Sequence, residues 1–386
     1  MRASRMLLTA GAVVAVLAIA LIVGYQRGQR QQNAALPIAS PTASPQETSG
    51  PSGKPTGSVA PSASPAGVSA TGAYNDDFGF FMLDGGGSAS IRKESSAARI
   101  ASFKGQGFAI SLDGRQVAFW ADGSASNGQQ LQIVAASDPT RVQTMVTLAT
   151  SERGGGIAWA NDGLGVLYAT RSAVGQQPAA ALHAFDGSAS TRDRVISTLA
   201  DGTYFFPIAW DRSTDTIAAA SHVVPDLQSI GQMGEYMVVS GGGASFYTTG
   251  RSYPLEIVHA STDARFIVAV DPSGVYWWPI RDYKVNRSVA EFLGPCIAFW
   301  RPATHELACQ VRSEILLYDV DRTAVTRTIP AGIGNLGAVR ADGSAVIAVP
   351  PHGAPGITAY ILVQLTGGGA IGLQDTGAML GSVRLR

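Results

Sequence analysis

One phrase returns through most of this chain: an apolar run, a tight turn, then a second apolar run. Its clearest copy is GFAISLDGRQVAFWADG at residues 107–123. Aligned on their first residue, the copies begin at Phe108, Ile157, Ile208, Ile257, Ile297 and Gly337, about 40 to 50 residues apart. A period of this length marks a repeat architecture, in which one supersecondary unit is stacked many times.

Each copy reads as strand, turn, strand. Asp-Gly at Asp113, Asp162 and Asp342 suits the positive φ of a hairpin turn, and Thr-Asp or Pro-Ala-Thr-His takes its place elsewhere. Two further short strands follow each hairpin, as in QLQIVAAS and VQTMVTLAT of the first repeat and EILLYDV and VTRTIP of the fifth. Val, Ile, Ala, Phe and Trp occupy successive positions, so both faces of such a sheet are apolar. One sheet alone cannot hide two apolar faces. Sheets packed radially, face to face at ~10 Å, hide both. The expected fold class is all-β, a β-propeller of four-stranded blades.

The ends of the repeat region bear on blade number. Residues 77–105 read as three strands lacking an innermost one, and the C-terminal MLGSVRLR reads as one strand lacking partners. Joined, they make one more blade, close the ring and remove two exposed sheet edges. Seven blades are expected, with six as the alternative.

Residues 1–31 read as a short cytoplasmic tail and a transmembrane signal anchor. The uncharged run from Met6 to Gly24 would span roughly 29 Å as a helix, close to the ~30 Å hydrocarbon core. A cleaved secretory signal is the competing reading, although its apolar core is usually about 7–15 residues. No cysteine directly follows the run, which excludes a lipoprotein. Arg2 and Arg5 nearly balance Arg27 and Arg30, so the flanking charges leave orientation to the neighbouring segment. Residues 32–73 are rich in Pro, Ser and Ala and read as a disordered stalk, too polar to offset the entropy of ordering. A stalk between a membrane and a domain of residues 74–386 suggests a single-pass bacterial membrane protein with the propeller on the extracytoplasmic side.

The formal net charge is zero, so there is no basic footprint for nucleic acid. The two cysteines, Cys296 and Cys309, are too few for a disulfide scaffold and wrongly spaced for zinc. They fall on the first two strands of one blade. A turn centred between Pro302 and Ala303 would set them opposite each other, within reach of a disulfide; two buried thiols are the alternative.

The first copy also resembles the TolB-type β-propeller repeat of bacterial periplasmic proteins, an aromatic–Ser–Pro–Asp–Gly pattern followed by a charged residue and an apolar–Ala–Phe run. Here it reads Ile110-Ser111-Leu112-Asp113-Gly114-Arg115-Gln116-Val117-Ala118-Phe119, with Leu112 in place of the proline. Trp159, Trp210 and Trp300 stand where the aromatic often does. The resemblance implies a protein-binding platform in the envelope, and such repeats also occur beside hydrolase domains.

No catalytic constellation is legible. A Gly-x-Ser-x-Gly elbow is absent. His305-Glu306-Leu307-Ala308-Cys309 lacks the second histidine of a zincin and sits in an expected hairpin. Gly154-Gly155-Gly156 and Gly241-Gly242-Gly243 read as turns rather than anion cradles, and the Asn286-Arg287-Ser288 sequon matters only in a host that glycosylates asparagine. Adjacent tryptophans at Trp277 and Trp278 must point to opposite faces of a strand, either both into core or one into a sugar-stacking platform.

A propeller binds at the mouth of its channel, through loops entering the innermost strands and loops between the second and third strands. The entering positions include Glu152, Arg153, Tyr204, Phe205, Arg251 and Tyr253. The long loop HVVPDLQSIGQMGEY adds His222, Asp226 and Glu235. No cofactor and no metal site is expected. The expected function is binding of a protein or cell-envelope component, with a propeller enzyme or carbohydrate-binding protein, its site at the channel mouth, as the alternative.

Overall fold

The computed structural model describes residues 74–124, 127–172, 179–187, 192–223, 235–248, 256–293, 297–330, 335–349, 358–365, 370–375 and 378–386. The expected tail, anchor and stalk lie outside them. Among the described residues no helix is long and apolar enough to cross a membrane.

The strands pair into seven four-stranded antiparallel sheets. Blades 1 to 6 are numbered along the chain, and their innermost strands are Gln106–Ile110, Glu152–Trp159, Tyr204–Asp211, Glu256–Ala260, Ile297–Trp300 and Asn335–Val339. Blade 7 is assembled from both ends of the described chain. Its innermost strand is the C-terminal Ala378–Arg384, which pairs with Phe78–Gly85 in a register of Phe78 with Arg384 and Phe80 with Ser382. The expected closure holds, and with it the seven-blade count.

Both faces of each blade are buried because each meets a neighbour. Seven apolar clusters fill the seven junctions. Strand alternation divides side chains between them. Trp277 packs toward blade 5 and its neighbour Trp278 toward blade 3, and both are buried. The tryptophan pair is therefore core, not a sugar platform.

The hairpin turns that end the innermost strands stitch one face of the ring together. Gln116 Nε2 donates to Gly163 O at 3.0 Å, from blade 1 to blade 2. Asn161 Nδ2 donates to Asp211 Oδ1 at 3.1 Å and reaches past blade 3 to Asp263 O in blade 4 at 3.2 Å. Ala303 N donates to Thr262 Oγ1 at 3.1 Å, and Arg301 Nε to Gly343 O at 2.7 Å. Ala341 N donates to Ser382 Oγ at 3.2 Å, and Arg384 N to Gly114 O at 2.8 Å, which returns the chain of bonds to blade 1. This turn face is committed to holding blades together. The opposite face, the mouth, carries the loops that enter the innermost strands.

Two expectations change. Gly154-Gly155-Gly156 is not a turn but the middle of the innermost strand of blade 2. Its lack of side chains makes room for Trp120 from blade 1 and for Phe206 and Pro207 from blade 3. The hairpin of blade 5 pairs Ala298 with Cys309, so its centre lies one residue later than expected. Cys309 is buried at that junction, and Cys296 lies outside the described residues. Gly241 and Gly242 do form a turn, both at positive φ.

Candidate functional site

The seven innermost strands wall the central channel. Their half-buried side chains include Phe108, Ile157, Phe206, Phe299, Val339 and Met379, all apolar. Glu152, Tyr204, His259 and Arg384 are half-buried polar side chains on the same strands, and the His259 ring lies 5.3 Å from that of Phe299. Burial pushes the His259 imidazole down to about 4, which keeps it neutral at ordinary pH.

Polar groups gather instead at the mouth, on blades 2 and 3. The antiparallel register explains why. Glu152 and Arg153 begin the innermost strand of blade 2, opposite Ser172 and Arg171 at the end of its second strand. Tyr204 begins the innermost strand of blade 3 opposite Val223, and Glu235 begins its third strand opposite Ser221. Residues far apart in sequence therefore share one rim.

Two groupings emerge. In the first, Arg171 lies with its guanidinium carbon 5.4 Å from the Tyr204 ring centroid, and its Nη1 stands 3.4 Å from the Tyr204 hydroxyl. Arg153 nearby donates to the carbonyls of Thr150 and Glu152, at 3.3 and 3.1 Å. Together with Asp122, Asn127, Gln129 and Thr150, Arg153 lines a cavity of about 350 Å³ toward blade 1. In the second, His222 stands between two carboxylates. Its Nδ1 is 2.7 Å from Asp201 Oδ2, and its Nε2 is 3.6 Å from Glu235 Oε2.

The hydroxyl and backbone N–H of Thr203 both donate to Asp201, and His222 adds its bond, so the Asp201 carboxyl is held down to about 2 despite partial desolvation. His222 itself adopts φ of 55°, in the left-handed region that few non-glycine residues enter. Such strain persists where surrounding structure over-determines it and is a mark of functional sites.

Of the residues expected from sequence, Glu152, Arg153, Tyr204, His222 and Glu235 come together on this rim. Phe205 turns the other way and is 3% exposed in the core between blades 2 and 3, so it belongs to packing. Asp226, Arg251 and Tyr253 lie outside the described residues. Sequence reasoning missed Asp201, Thr203 and Arg171. The signal was present for the first two, because Asp201-Gly202-Thr203 occupies the same entering loop as Tyr204, and an Asp two residues before a Thr is a local turn former. Among the described residues no group of three or more metal-ligating side chains is arranged to hold an ion.

No family model matches the chain, and no curated protein does. Among solved structures, one from the mitotic checkpoint complex is 14% identical, covers 70% of this chain and 78% of its own, and has a TM-score of 0.43. The dihydro-heme d1 dehydrogenase NirN is 13% identical, with coverages of 82% and 77% and a TM-score of 0.43. The apo form of AztD from Citrobacter koseri is 9% identical, with coverages of 79% and 97% and a TM-score of 0.44. At these identities and scores none of them carries an argument about activity; the seven-bladed, all-β propeller rests on the strand pairing of the chain itself.

Proposed function

We propose that this chain is a TolB-like, membrane-tethered β-propeller outside the cytoplasm, anchored through residues 6–24, whose mouth binds a protein or another envelope component over blades 2 and 3. One observation carries the binding reading above the enzymatic one. Most half-buried side chains described on the innermost strands are apolar, and on the rim Arg153, Arg171, Asp201, His222 and Glu235 mix both signs. A rim of mixed charge around Tyr204 suits recognition of a polar surface, since Tyr and Arg are the side chains on which interfaces most often depend. The anchor and extracytoplasmic placement draw on the apolar run and the stalk composition alone.

A photo-crosslinking residue placed at Tyr204 in intact membranes tests this. It is expected to trap a discrete macromolecular adduct that the same residue at Arg322, on the turn face, does not. Adducts at Arg322 alone, or at neither position, overturn the reading. His222, held between Asp201 and Glu235 on strained backbone, favours a second reading, a catalytic or carbohydrate site at the same mouth. That reading requires turnover or saturable glycan binding that His222→Ala abolishes.

A further inference from the structure

At the mouth, the cavity of about 350 Å³ opens where the loop between the second and third strands of blade 1 faces the loop that enters blade 2. Its volume lies at the low end for small-molecule sites. Asp122 and Asn127 line it from blade 1, and Thr150 and Arg153 from blade 2. Gln129, only 7% exposed, contributes from just ahead of the third strand of blade 1. No apolar side chain stands among the described lining residues.

Three of these groups are unmatched. Gln129 is held in place twice, since its backbone carbonyl accepts from Leu148 N at 2.9 Å and its side-chain Oε1 accepts from Gly154 N at 2.9 Å. A backbone N–H can only donate, so the atom facing it is the oxygen, and the amide nitrogen is the end left over. That Nε2 makes no hydrogen bond among the described residues and is not one of the solvent-shielded atoms, so an incoming acceptor can reach it. Arg153 spends Nη1 on the carbonyls of Thr150 and Glu152 and pairs with no carboxylate among the described residues. Asp122 has no ion pair or hydrogen bond among them either. A carboxylate and a guanidinium that line one cavity without pairing leave a space between them, and a ligand carrying both charges fits that space.

We propose that this cavity binds a small zwitterion, a free amino acid or a short peptide. The ligand carboxylate accepts from Gln129 Nε2 and from the Arg153 guanidinium, and the ligand ammonium donates to Asp122. Charge-assisted bonds of this kind are roughly twice as strong as neutral ones. A simple anion would leave Asp122 unpaired beside a like charge. A simple cation would leave Arg153 and the buried Gln129 donor unmatched, and such a donor is costly. A neutral sugar would pair neither charge. The site adjoins the rim but does not rest on what the rim binds.

The test uses the purified full-length chain in an uncharged detergent. Glycine, β-alanine, γ-aminobutyrate, diglycine and triglycine, which differ in the distance between their charges, are titrated by calorimetry. Acetate, methylammonium and inorganic phosphate are the rival probes. At least one zwitterion is expected to saturate and to bind about tenfold or more tighter than each rival. Saturation by one of the three amino acids assigns a free amino acid, and saturation by diglycine or triglycine alone assigns a short peptide. Gln129→Glu keeps an acceptor for Gly154 N and turns the donor into a carboxylate oxygen, so it should weaken binding by about tenfold or more. Arg153→Gln should weaken it as well. Asp122→Asn should erase most of the zwitterion's advantage over acetate, and Arg322→Ala on the turn face should change nothing. Asp122 and Arg153 are exposed, so their variants keep the fold even where Gln129→Glu does not, and melting curves check all three. No saturation by any zwitterion, equal binding of acetate or phosphate, or binding that survives both Arg153→Gln and Asp122→Asn overturns the proposal.

Discussion

Gly154 of blade 2 lies against the indole of Trp120 in blade 1, so close that a Cβ there would fall 2.2 Å from Cδ2 and Cε2. Trp120 is fully buried, and its Nε1 donates to Gly155 O at 2.9 Å. The indole therefore has a fixed seat and no room to retreat. Gly154→Ala is expected to cost about 1–3 kcal/mol through overpacking at this junction. Thermal unfolding reads this directly. A variant that melts with the parent would mean that the blades slide apart at little cost.

The ring is closed by the last strand. Removing residues 379–386 deletes the closing-strand partners of Phe78 through Met82, takes the fully buried Val383 out of the junction with blade 1, and breaks the Arg384 N bond to Gly114 O. The loss is expected to exceed about 4 kcal/mol, a size rare for single substitutions. The uncovered strand edge should also promote association. Melting and size-exclusion profiles check both, and an unchanged monomer with the parental melting temperature would contradict closure.

The blade architecture was legible because it is written as a local pattern. Asp113-Gly114, Asp162-Gly163 and Asp342-Gly343 declare their turns, and Gly114, Gly163 and Gly343 do adopt positive φ. The closing strand was legible from what blade 7 lacked. The glycine run at 154–156 was misread because its reason lies across a junction, in Trp120, and no neighbour in sequence announces it. The rim was half legible for the same kind of reason. His222 and Glu235 flank a conspicuous loop, whereas Arg171 joins Tyr204 only through register. The cavity beside Gln129 was invisible, since it depends on a loop of one blade meeting the entering loop of the next.

Where Asp-Gly is missing, the turn geometry is kept without glycine. Asp215, Ala264 and Ala303 adopt φ of 46°, 57° and 59°. Ala303 is exposed, so its side chain packs against nothing that glycine would forfeit. The left-handed conformation costs an L-residue about 1–2 kcal/mol, and glycine returns roughly 0.5–1 kcal/mol of that as unfolded-state entropy. Ala303→Gly is expected to stabilise the fold by up to about 1 kcal/mol. Ala264 is buried at the junction of blades 3 and 4, so Ala264→Gly should gain less or lose. Paired denaturant curves distinguish the two. Equal effects would show that turn strain is not what separates them.

His305 bridges blade 4 and blade 5, with Nε2 2.8 Å from Asp263 Oδ2 and Nδ1 2.6 Å from Asp321 Oδ2. Burial alone would lower its pKa, but its bonds to Asp263 and Asp321 and their charges outweigh burial and raise it. With both ring nitrogens facing carboxylates, the charged imidazolium is the form that fits. A folded pKa above the unfolded value of about 6.5 gives stability that is complete below that pH and fades as pH rises through the folded value. Asp263 sets the acid limit. Burial raises its pKa, while Ser261, His305 and the Arg265 N–H outweigh burial and lower it. Its contribution is present above about pH 3.9 and is lost as pH falls through the folded value. His305→Gln keeps a donor but no titratable charge. Because Asp263 and Asp321 are partly exposed, the parent should exceed the variant by only about 1 kcal/mol near neutral to mildly acidic pH, after solvent screening. That gap should narrow as pH climbs past the imidazolium range. A gap that stays constant from mildly acidic to alkaline pH would assign His305 to packing against Phe266, whose ring lies 4.9 Å away, instead of to charge.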